Sequence, residues 1–163
     1  MPSKQIIFAI VTFLHDLFTT VWIGGLITLG LTVLPSAKKV LGMGPQTKNL
    51  MDAIQKRLSV LVYVSIAGLL LTGLLLSNHS PAFQGLFNFG NPYSTVLALK
   101  HVLVLAMIAV SLYRSLILGR RSGPATPSQE KLSAGLLFLN IILGVAILLL
   151  SGFSVALGSV PPA

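Results

Sequence analysis

Four long apolar runs, separated by short polar connections, set the pattern of the chain. They fall at about 6–34, 58–76, 95–118 and 136–157, and each is long enough to cross a bilayer, which takes about 20 residues. Inside each run the small and polar residues recur at helical spacing. The first carries His15, Thr19 and Trp22 on one face. The second carries Ser65, Gly68 and Thr72, and the third Lys100, Met107, Ser111 and Arg114. The fourth carries Asn140, Gly144, Ser151, Ser154 and Gly158. Small residues let helices approach closely, and hydroxyls bond across the seam. The pattern predicts an all-α fold, an integral membrane antiparallel four-helix bundle forming one domain over residues 1–163.

Local signals refine the boundaries. Leu34-Pro35 predicts a stop for the first helix. In "GPQTKNLMDAIQKRL", Leu50, Met51, Ile54 and Leu58 share a face, so the second span is expected to begin as an amphipathic surface helix. Thr126, Pro127 and Gln129 form a capping-box pattern that opens the fourth helix. The connection "SNHSPAFQGLFNFGNPYS" holds Phe83, Phe87, Phe89 and Tyr93, an interfacial aromatic belt or else a lid over a site. The first run is too long for a secretory leader and lacks a small-x-small cleavage pattern, so it is read as a span.

Composition agrees: 54% of residues are hydrophobic and 9% charged, against about a quarter charged in soluble domains. The net charge of +8 raises the question of nucleic acid, but its distribution answers no. Lys38, Lys39, Lys48, Lys56 and Arg57 lie between the first two runs, and Arg120, Arg121 and Lys131 between the last two. The 77–94 connection has no Lys or Arg. This asymmetry predicts both basic connections in the cytoplasm and both termini outside, N-out and C-out, with anionic lipid as a partner. The absence of cysteine excludes thiolate sites.

Ionisable residues within the spans remain to be explained. A charge at mid-membrane costs about 2.5–3.5 kcal/mol on the most lenient scale, so such residues mark function. Arg114 is near the inner end and can snorkel outward. His15, Asp16, Lys100 and His101 cannot be dismissed that way. Counted from the outer surface, His15 is about 14 Å deep and His101 about 9 Å. In an up-down bundle their helices are diagonal, so the two imidazoles could hold a haem iron from both sides. His101 is rotated about 100° from Lys100, toward the flank of the interior stripe. An Asp16–Lys100 pair would neutralise both charges.

"LHDLFTTVWIGG" resembles the first-helix pattern of the copper-resistance protein D (CopD) superfamily, with His, Trp seven residues later, then small residues. "KRLSVLVYVSIAGLLLTGLLL" resembles its second helix, with the basic pair Lys56-Arg57 and an outer Thr72-Gly73. "YSTVLALKHVLVLAMIAVSLYR" resembles its third, with Lys100 early and Arg114 at the close. The HemJ-type protoporphyrinogen oxidases share this framework. The fourth run resembles the superfamily only as a hydrophobic helix. The resemblance implies copper handling on the CopD side, and b-type haem with porphyrin redox chemistry on the HemJ side. His15, Trp22, Arg57 and Lys100 match family positions, whereas His101 has no counterpart there.

Three readings follow. First is a membrane oxidoreductase or electron carrier binding haem b between its helices. Its metal ligands would be His15 and His101, with Trp22 and Lys100 also touching the cofactor, and a quinone or other membrane redox subunits as partners. Second is copper binding or transport through His15, His79, His101 and Met107; the inner half offers no imidazole for a transport ladder. Third is a non-catalytic accessory subunit, in a larger complex or as a homo-oligomer.

Overall fold

A computed structural model describes residues 3–79, 83–118 and 126–158, and those residues are helical apart from short connections. Four helices are long and apolar enough to span a membrane: α1 (Ser3–Leu41), α2 (Pro45–His79), α3 (Pro92–Leu118) and α4 (Pro127–Gly158). The chain is a multi-pass membrane protein. Each helix overruns its apolar run, because the flanking amphipathic turns stay helical.

α1 passes straight through Pro35, where a stop was expected. π-helical turns at Thr20–Gly24 and Thr28–Val33 shift its hydrogen-bond ladder. Pro35 thereby falls in the first turn of the α-helical segment Leu34–Leu41, where a missing N–H costs little. The helix ends instead at Gly42, whose φ of 74° is open to glycine. Thr47 Oγ1 donates to the Gly42 carbonyl at 2.6 Å and fastens the corner.

α3 starts at Pro92, ahead of its apolar run, because Asn91 caps it: Oδ1 accepts from the Ser94 N–H at 2.6 Å. α4 opens on half of the expected capping box. The Thr126 N–H donates to Gln129 Oε1 at 3.2 Å, while the Thr126 hydroxyl turns to Ser128. α2 runs on to His79, which the sequence reading had placed in the loop; its side chain, with Arg120 and Arg121, lies outside the described residues.

Successive helices are antiparallel. On α1 and α2, His15 meets Thr72 and Gly25 meets Leu58. On α3 and α4, Tyr93 meets Gly158, Ser111 meets Asn140 and Arg114 meets Ser133. Close backbone approaches join α1 to α2, α3 to α4 and α1 to α4. Long polar side chains bridge α2 and α3 at the end that carries the basic residues. The core sits in the middle of the bundle: Trp22, Ile23, Leu26, Leu29, Val62, Met107, Leu137, Ile141 and Ile147. The first turns of α1, from Ser3 to Ile10, are exposed on every face.

The interior stripes serve mainly as packing seams. A Cβ on Gly68 would overlap the Phe18 ring, and one on Gly144 would press Ile23 Cγ2 at 3.0 Å. Ser151 and Ser154 return their hydroxyls to carbonyls of their own helix, Ile147 and Leu150.

Candidate cofactor site

His15 is half-buried on α1 and turned toward α2. Its Nδ1 lies 2.9 Å from Thr72 Oγ1, and the Thr72 hydroxyl donates to the Gly68 carbonyl at 2.7 Å. A hydroxyl has one proton. When that proton goes to Gly68, Thr72 accepts from His15, and the ring proton is on Nδ1. Nε2 then presents a bare lone pair, the tautomer suited to ligating a metal. Gly73 lies alongside: a Cβ there would sit 3.6 Å from His15 Cε1. The His15 carbonyl accepts from Thr19 Oγ1 at 2.8 Å, one turn further along α1.

Lys100 and Asp16 complete the neighbourhood. Both lie within electrostatic reach of His15 and of each other. No direct ion pair joins them among the described residues, and Asp16 is exposed on the flank of α1. The expected Asp16–Lys100 pair is therefore a longer-range coupling. Lys100 keeps its ammonium free to meet an anionic group.

His101 stands at nearly the same level. Ile23 and Met107 both pack at Gly144, and from that layer His15 is about 12 Å and His101 about 9 Å toward the far end. His101 lies under the connection, with its ring centroid 6.2 Å from that of Phe87. The ring feels the Leu97 carbonyl one turn earlier, yet Nδ1 is buried without closing a hydrogen bond among the described residues.

Trp22 is 2% exposed and belongs to the core one layer below His15. Its Nε1 is buried without a partner among the described residues. Met107 is fully buried beside Gly144, about 10 Å along the bundle from Lys100. No group of three or more His, Asp or Glu side chains gathers among the described residues.

A second polar cluster, at the basic end, went unread in the sequence. Arg114 is only 8% exposed; it folds inward instead of snorkelling. Its Nη2 donates to Gln55 Oε1 at 3.0 Å and its Nε to Ser133 Oγ at 3.4 Å. Tyr63 donates to Ser115 at 2.7 Å, Ser115 to Ser59 at 3.3 Å, and Asn140 Nδ2 to Ser111 at 2.9 Å. The spacing of Gln55, Ser59 and Tyr63, four residues apart each time, could have revealed this face.

The family model described as copper resistance protein D (CopD) matches residues 52–154. The match takes in α4, which the sequence reading recognised only as a hydrophobic helix, and it begins beyond His15 and Trp22. No curated protein and no solved structure matches the chain. With most of its length matched and four apolar helices in an up-down bundle, the chain belongs to the CopD family.

Proposed function

We propose that the protein binds a b-type haem at the end of the bundle opposite the basic residues and serves redox or electron-transfer chemistry in a prokaryotic inner membrane. The carrying observation is the Gly68–Thr72–His15 relay, which fixes the imidazole tautomer and leaves Nε2 unprotonated. His15 would hold the iron and Lys100 would meet a propionate. The space between Gly68 and Gly144 that a central haem needs is filled by Phe18, Ile23 and Met107. A haem would therefore have to be held outward of that layer, by His15 with Lys100 beside it. Bound there, the iron would supply one-electron chemistry whose potential depends on the second ligand and on burial. His101, at nearly the same level, is the candidate for that second ligand. Trp22 would floor the site. A quinone or another membrane redox subunit would exchange the electron.

Copper is the second reading, favoured by the description of the family. Its difficulty is ligand number: one well-presented imidazole, a distant thioether and no thiolate make a poor copper set. An accessory role in a larger complex would leave His15 as a hydrogen-bonded packing residue.

Absorption spectroscopy and metal analysis of the purified protein separate the three. The expected result is a Soret band without stoichiometric copper, lost in His15→Ala and shifted in His101→Ala. A Soret band of full strength in His15→Ala would remove the ligand assignment. Stoichiometric copper without haem would select the second reading, and neither group would select the third.

A further inference from the structure

The polar cluster at the basic end lines a half-open cavity of about 30 Å³, bordered by Gln55, Ser59, Tyr63, Ser111, Arg114 and Asn140 among others. That is room for a couple of water molecules or one small ion. The charge balance inside is incomplete. The chain has three carboxylate side chains, Asp16, Asp52 and Glu130. Asp16 is at the far end, and Asp52 and Glu130 are exposed. None bonds to Arg114. A cation this buried is costly unless something compensates it.

The unused groups around the cavity are mostly donors. Arg114 has five N–H bonds, of which Gln55 and Ser133 take two. Ser59 accepts from Ser115, and Ser111 accepts from Asn140, so each keeps its own hydroxyl proton. Asn140 is 1% exposed, with Oδ1 buried and unpartnered among the described residues. Turning that amide by half a rotation lets Ser111 donate to Oδ1 and brings Nδ2 to the open side as one more donor. Oxygen and nitrogen of an amide are interchangeable in shape.

We infer that this chamber is an anion site: a monovalent ion the size of chloride sits against the Arg114 guanidinium, held also by Ser59 and Asn140, and replaces the carboxylate the chain lacks. The inference stands apart from the haem reading, because the cavity is separated from His15 by the Trp22, Ile23 and Met107 layer.

The test uses the full chain in detergent, followed by ³⁵Cl line broadening with bromide as competitor. Wild type is expected to broaden the line above a detergent blank and to lose the excess to bromide. Asn140→Asp places a carboxylate in the chamber as an internal counter-ion. It is expected to abolish the broadening and to melt, in gluconate, at or above the wild-type temperature. Arg114→Gln is expected to abolish the broadening as well, while His15→Ala keeps it. A wild-type line no broader than the blank would overturn the site, as would broadening that persists in Asn140→Asp. A lower melting temperature for Asn140→Asp in gluconate would overturn it too, since the carboxylate would then have found no cation to pair with.

Discussion

Thr72 contributes through two bonds at one oxygen. It donates to Gly68 and accepts from His15, so its removal frees both the ring and its tautomer. Thr72→Val keeps the shape and deletes the acceptor. An N–H left unpaired in a buried setting costs about 1–3 kcal/mol, and that loss is expected in chemical denaturation of the apoprotein. Ligand-orienting partners of this kind change metal affinity about 10–100-fold, so weaker haem retention is expected alongside, with Thr72→Ser restoring both. Unchanged stability and unchanged retention in Thr72→Val would show that the relay orients nothing. His15 and Thr72 were each legible as interior polar residues from helical spacing. Their bond was not, because spacing along one helix says nothing of how two helices register. The same limit applies to His101: its depth was countable, whereas its approach to Phe87 was not.

At the level of the helices, glycine positions decide how closely α1 approaches its neighbours. Phe18 occupies the place of a side chain at Gly68, and Ile23 that of one at Gly144. Gly68→Leu drives a branched side chain into the Phe18 ring, and overpacking of this sort costs about 1–3 kcal/mol. Thermal unfolding should show the loss, and Phe18→Ala in the same chain should return part of it by vacating the space. An unaffected melting temperature in Gly68→Leu would mean that α1 and α2 separate freely there. The apolar runs made all four helices readable, since burial in lipid demands both length and continuity. The helix ends were less readable. Pro35 is a breaker by composition, and only the π-helical turn before it, which no local sequence rule marks, makes it harmless.

For the whole molecule, orientation decides from which compartment the His15 site is reached. Lys38, Lys39, Lys48, Lys56, Arg57 and Lys131 all belong to one end of the bundle, whereas residues 77–94 at the other contain no Lys or Arg. Short connections with that bias are retained in the cytoplasm, so His15, Lys100 and His101 should open outward. The buried Arg114 adds its charge to the same end. A chain without cysteine lends itself to a direct check. Met43 in the basic connection and Phe89 in the aromatic one are 90% and 69% exposed, so either accepts a cysteine with little disturbance. A membrane-impermeant maleimide added to spheroplasts should label Phe89→Cys at once and Met43→Cys only after permeabilisation. The reverse labelling would turn the bundle over and open the His15 site to the cytoplasm. Haem or metal would then have to be supplied from within, and an electron partner sought on that side. Because Lys38 and Lys39 close α1 while Lys56 and Arg57 lie within α2, replacing these four by Gln should erode the bias without touching the core. Mixed labelling of Met43→Cys in that background is the expected sign that charge, and not the packing of the helices, sets the orientation.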